Sequence, residues 1–86
     1  AYIGRGNVYK KLEYDNKALE DYTLALEIEP SSPHALLNRG LIFKAKKQNA
    51  KAKKDLEKFL EISPRGKLAT SVRSWLRTQE NKAKKE

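Results

Sequence analysis

The chain of 86 residues contains no cysteine and no methionine, one histidine, one tryptophan, three prolines and four glycines. Without cysteine, no disulfide forms and no thiolate holds a metal, so a domain this small depends on packing alone. The single histidine, His34, cannot supply a His-pair metal motif, and nothing supports a Ser-His-Asp triad around it. Long apolar runs are missing as well. Ala35-Leu36-Leu37 and Leu41-Ile42-Phe43 are separated by Asn38 and Arg39, far short of the roughly 20 residues that cross a bilayer. No basic-then-apolar leader opens the chain. With Ala1 first and no Met, the sequence reads as a piece of a longer protein whose targeting signals lie out of view. Its 38% hydrophobic and 35% charged residues fit one soluble, folded domain.

Positive charge is present in excess and unevenly placed. The net charge is +8, but residues 1–30 hold four Lys or Arg against six Asp or Glu, whereas residues 31–86 hold fifteen against five. Lys44, Lys46, Lys47, Lys51, Lys53, Lys54 and Lys58 form the densest run. Such a run attracts nucleic acid, an anionic membrane or an acidic peptide, or it is simply the solvated face of a helix.

An internal repeat organises the rest. Shifting the chain by 34 pairs Ala1 with Ala35, Arg5 with Arg39, Gly6 with Gly40, Lys10 with Lys44 and Lys17 with Lys51. The same shift pairs Ala18 with Ala52, Asp21 with Asp55, Leu26-Glu27-Ile28 with Leu60-Glu61-Ile62, and Pro30 with Pro64. These are eleven identities in 32 positions, where chance gives about two. Each unit reads as two helices. Tyr2, Gly6 and Tyr9, like Leu36, Gly40 and Phe43, recur at i, i+4, i+7. Ala18, Tyr22, Ala25 and Leu26 then match Ala52, Leu56, Phe59 and Leu60. Glu13 to Asn16 and Lys47 to Asn49 are short polar connections suited to an antiparallel helical hairpin. Gly6 facing Ala18 and Gly40 facing Ala52 would let paired backbones approach closely, which repays a helix-propensity cost near 1 kcal/mol per glycine. Pro30 and Pro64 end the units, and Ser32-Pro33 supplies an N-cap and a first-turn proline.

The pattern aromatic-x3-Gly-x2-Tyr, then Ala-x3-Tyr-x2-Ala and a closing Pro at a period of 34, resembles the tetratricopeptide repeat. The resemblance covers two units, residues 1–32 and 33–66, plus one further helix. It implies an all-α fold in which two helical hairpins and a C-terminal helix form a right-handed α-solenoid. Two departures stand out. Arg5 and Arg39 occupy a position usually held by Leu and are expected to snorkel over the helix packing. Phe59 replaces the small residue seen as Ala25 and is expected to fill space against the following helix.

Beyond residue 66 the period maps Arg39 to Arg73, Gly40 to Ser74 and Ile42 to Leu76. The hairpin face becomes polar, reading Thr70, Ser74, Arg77, while Leu68, Ala69, Val72, Trp75 and Leu76 form an apolar stripe. Residues 67–80 therefore read as a capping helix that ends the array, with Trp75 in the core and residues 81–86 as a basic tail.

Catalytic and cofactor chemistry is not visible. Gly4-Arg5-Gly6 lacks the third glycine and the preceding strand of a dinucleotide loop. Asp15, Glu20, Asp21, Glu27 and Glu29 are expected round an exposed helix, without the isolated apolar pocket that acid catalysis uses. Ser32-Pro33 and Ser63-Pro64 are explained by turn and cap chemistry. No enzyme, metal site or cofactor is expected.

The expected function is protein–protein interaction. The resemblance implies a concave surface lined by the first helix of each unit, holding a peptide or helix from a partner. Its groove positions would be Ile3, Asn7, Lys10 and Lys11, then His34, Leu37, Asn38, Leu41 and Lys44. Lys10 and Lys44 share a column, so an acidic peptide is the expected partner. A carboxylate clamp found in one subfamily is present only in part: Asn7 and Asn38 match it, but Ile3, Leu68 and Val72 replace its basic residues. The alternatives are electrostatic nucleic-acid binding through the basic second half, which lacks aromatic interleaving, and a purely structural role as an array terminus. No membrane insertion is expected, and the setting that goes with this reading is intracellular, cytoplasmic before nuclear.

Overall fold

The computed structural model describes the backbone from Tyr2 to Lys85 and side chains through Lys82; the Ala1 pairing and the end of the basic tail lie outside these residues. Five helices follow one another: α1 (Tyr2–Lys11), α2 (Asp15–Ile28), α3 (Pro33–Ala45), α4 (Asn49–Ile62) and α5 (Lys67–Lys85). Helices α1 and α2 form one antiparallel hairpin and α3 and α4 the next, with α2 packed on α3 and α5 on α4. The described residues extend over 40 × 25 × 21 Å.

Local chemistry explains the boundaries. Ser32 caps α3, its Oγ accepting from the Ala35 N–H at 3.4 Å, and Pro33 fills the first turn, where its missing N–H costs nothing. Both hairpin turns use a left-handed residue that is not glycine, Glu13 at φ 64° and Lys47 at φ 63°, again 34 residues apart. The next residue in each turn donates five residues back, Tyr14 N–H to Tyr9 O at 2.8 Å and Gln48 N–H to Phe43 O at 2.9 Å. These bonds satisfy carbonyls that the helix ends would otherwise leave open.

One core runs through both hairpins. It contains Ala18, Tyr22, Ala25 and Leu26 from α2, Ala35, Leu36, Leu37 and Ile42 from α3, Leu56 and Phe59 from α4, and Ala69 and Val72 from α5. The glycines admit large neighbours. A Cβ on Gly6 would lie 2.9 Å from Tyr22 Cε1, and one on Gly40 would lie 2.7 Å from Leu56 Cδ2. The close approach expected against Ala18 and Ala52 is thus made first against Tyr22 and Leu56, the bulky members of the facing helix.

Two expectations about the third helix change. Helix α5 does not stop near residue 80 but continues to Lys85, because the stretch after Glu80 holds good helix formers and no breaker. Leu68, assigned to the packed stripe, is 58% exposed, since it sits at the edge of that stripe rather than over α4. Trp75 and Leu76 are half-buried against the core, and Thr70, Ser74 and Arg77 are exposed.

Candidate binding groove

The inner face is held in register by a repeated ion pair. Arg5 donates from Nε and Nη2 to the two carboxylate oxygens of Asp21 at 2.9 and 2.7 Å. Arg39 does the same to Asp55 at 2.7 and 2.8 Å, and its Nη1 reaches Thr23 Oγ1 at 3.3 Å, tying the second hairpin to the first. This corrects two expectations. Arg5 and Arg39 are not snorkelling stems but bidentate partners across each hairpin, and Asp21, only 2% exposed, is not on a solvated face. The hydrogen bonds from Arg5 hold the Asp21 carboxyl below the usual carboxylate range, while burial pushes the other way. No buried side-chain polar atom among the described residues lacks a partner.

At the first-hairpin end the groove is polar. The fully buried Tyr22 donates its hydroxyl to Asn7 Oδ1 at 2.5 Å, and Asn38 Nδ2 donates to the same oxygen at 3.0 Å. Burial raises the Tyr22 hydroxyl above its ordinary pKa. Asn7 and Asn38, from α1 and α3, are thereby joined side by side. With Val8, Lys10 and Lys11 they line an open concavity of about 600 Å³. The Asn7 amide NH2 and the Asn38 carbonyl oxygen have no partner among the described residues, so the pair offers one donor and one acceptor side by side, the set an extended peptide backbone can use.

The remaining expected positions lie further along α3. Leu37, Leu41 and Lys44 face α5, where they border a narrow cleft with Leu56, Val72 and Trp75, and the Lys44 Nζ stands 5.6 Å from the centre of the Trp75 ring. His34, exposed in the first turn of α3, borders a different depression with Phe59, Arg65 and Lys67, which shares Leu37 and Leu68 with the cleft. The structure brings Asn7, Lys10, Lys11 and Asn38 together, sets Leu37, Leu41 and Lys44 beside them along α3, and leaves His34 at the far end. Ile3 is half-buried against the core and Val72 is buried, so those positions of a carboxylate clamp offer only carbon.

Sequence reasoning missed the roles of Tyr22, which orients Asn7, and of Trp75, which carries Lys44. The Arg–Asp pairs had a usable signal, since both members recur at the 34-residue shift and stand 16 apart in each unit.

The lysine run is divided by its contacts. Lys44 covers Trp75, Lys51 lies over the Phe43 ring at 5.6 Å, and Lys46 donates to Asn16 Oδ1. Lys54 and Lys58 remain exposed on α4, where Glu57 and Glu61 interleave with them. Among the described residues no group of three or more His, Asp or Glu could hold a metal ion, and no helix is long and apolar enough to cross a membrane.

Comparison with known proteins agrees with this architecture. A family profile described as tetratricopeptide repeat matches residues 1–32 and 33–65, one match on each hairpin. A comparison with curated protein sequences found no match. With two matched units covering most of its length and the helical hairpins to go with them, the chain belongs to the tetratricopeptide repeat family, a non-catalytic repeat module that mediates protein–protein interaction.

Proposed function

We propose that the chain binds an acidic peptide in extended form along the inner face of α1 and α3. The observation that carries this reading is the joined pair Asn7–Asn38, flanked by Lys10 and Lys11 in one concavity, with Lys44 further along the same face. The amides suit a peptide backbone, and the three lysines suit carboxylates. Each exposed ion pair contributes only about 0.2–1 kcal/mol, so affinity is modest and weakens with salt. Asp21 and Asp55 are buried under Arg5 and Arg39, and no acidic side chain lines this concavity to compete.

The test uses a glutamate-rich peptide and two double charge reversals that change net charge equally. Lys10→Glu with Lys44→Glu should weaken binding by about threefold or more relative to Lys54→Glu with Lys58→Glu, in line with the loss of two exposed pairs. If the α4 pair matters as much, or if duplex nucleic acid displaces the peptide at equal salt, the interaction is a diffuse field and the groove reading fails.

A further inference from the structure

Two positions related by the repeat differ in a way that divides the inner face. Asn7 and Tyr22 of the first unit correspond to Leu41 and Leu56 of the second, so the hydrogen-bonded trio Tyr22–Asn7–Asn38 has only carbon in its place one unit on. The helices are spaced differently too. Cα atoms of α1 and α3 approach within 8 Å, whereas those of α3 and α5 do not among the described residues, because α5 rests on α4. A cleft of about 60 Å³ opens between α3 and α5. Leu37, Leu56 and Val72, all buried, form its floor, and the half-buried Leu41 and Trp75 form its walls. Leu68 stands exposed at the rim, opposite the Lys44 ammonium stacked on the indole.

We infer that this cleft is a side-chain pocket for one aliphatic residue of leucine size, carried by the same acidic peptide and flanked by a carboxylate that meets Lys44. The inference rests on the groove reading above. Ser71 is the one hydroxyl on the lining, so an amide or charged side chain entering the cleft would lose its hydration without replacement partners. An aliphatic side chain loses nothing of that kind and releases poorly bound water from a carbon-walled slot. Charge sets which peptide brings it. The only charged group on the lining is Lys44, whose ammonium is held at the rim by the Trp75 face, where a neighbouring carboxylate can reach it without entering the cleft. The groove is therefore directional. Carboxylates and backbone lie over Asn7, Lys10 and Asn38, and the aliphatic anchor follows over α3 and α5.

Trp75 is the only tryptophan, so its emission reports on the cleft. The probes are capped octapeptides of Glu, Asp and Ser carrying a single Leu at successive positions, each paired with the same peptide carrying Ala instead. One register of the Leu peptide should bind about tenfold more tightly than its Ala counterpart, the gain expected from burying the larger side chain, and should shift Trp75 emission to shorter wavelength. Leu68→Ser, at an exposed position outside the α1 and α3 groove, should bring the Leu-to-Ala ratio close to one while leaving the Ala peptide's affinity unchanged, and Leu41→Asn should lower the same ratio measured within that variant. Lys10→Glu should weaken both peptides alike and preserve the ratio. If Leu and Ala peptides bind equally, or if the Leu peptide binds without changing Trp75 emission, the pocket is refuted and the groove stands. If neither peptide binds, the groove reading fails and the pocket with it.

Discussion

The two hairpins share a frame and differ in what the frame holds. Arg5–Asp21 and Arg39–Asp55, the left-handed turn residues Glu13 and Lys47, and the close glycines Gly6 and Gly40 all recur 34 residues apart in equivalent geometry. The interiors do not recur. Tyr22 fills the first hairpin and sends its hydroxyl to Asn7 on the inner face, whereas Leu56 fills the second and sends nothing, so the face beside it is apolar. Packing adds a second difference: the Arg39 side chain is 22% exposed against 57% for Arg5, because α2 packs against α3. Repeated residues thus hold the hairpins together, and unrepeated ones set the chemistry of the groove.

The sharpest way to break this comparison is at the glycines. Gly40→Ala places a Cβ 2.7 and 2.8 Å from Leu56 Cδ2 and Cγ, inside a core that cannot yield easily, so a loss of about 1–3 kcal/mol is expected. Gly6→Ala meets the Tyr22 ring edge at 2.9 Å and should cost less. Chemical denaturation measures both, and the penalty at Gly40 should shrink in a Leu56→Ala background, since the two positions are coupled by one contact. Equal penalties with and without Leu56 contradict the packing described.

The ion pairs come next. Arg39→Ala leaves Asp55 buried without its donor and cuts the link to Thr23, for an expected loss of about 2 kcal/mol that lysine does not restore, because it lacks the two-pronged geometry. Arg5→Ala should cost less, as it ties no second hairpin. The pH dependence follows from Asp21, whose carboxyl pKa is lowered in the folded state by Arg5. A depressed folded pKa stabilises the protein fully above the unfolded value, about 4, and the contribution is lost as pH falls from there through the lower folded value. Thermal melts of Arg5→Ala should lose this contribution at neutral pH and converge with the wild type in acid; parallel curves at all pH values contradict it.

The smallest effect concerns the turns. Glu13→Gly and Lys47→Gly relieve a left-handed conformation that costs an L-residue roughly 1 kcal/mol, partly offset by glycine's greater freedom when unfolded. Each should raise stability by a few tenths of a kcal/mol. A destabilisation at either site would mean that its side chain holds the turn.

Much of this was legible before the structure. The period, the helical hairpins, the Ser32-Pro33 cap and the buried faces of Tyr22 and Leu56 follow from spacing and residue type, because each helix had an apolar stripe and each unit a proline stop. Pairing across a hairpin was not legible from one-dimensional faces. Arg5 and Asp21 lie on different helices, and only the crossing of α1 over α2 brings them together. Lys44 reads as a free groove cation, and its place on Trp75 depends on where α5 lies. The left-handed turn residues carry no signal at all, since neither Glu13 nor Lys47 is a residue that favours the conformation.

The central claim, a peptide groove on α1 and α3, is tested most directly by following backbone and side-chain amide resonances while an acidic peptide is added. The account predicts that the shifts centre on Asn7, Lys10, Lys11, Asn38, Leu41 and Lys44, with the Asn7 and Asn38 side-chain amides among the largest. Shifts centred on Lys54 and Lys58 of α4, with those two amides unmoved, would contradict it.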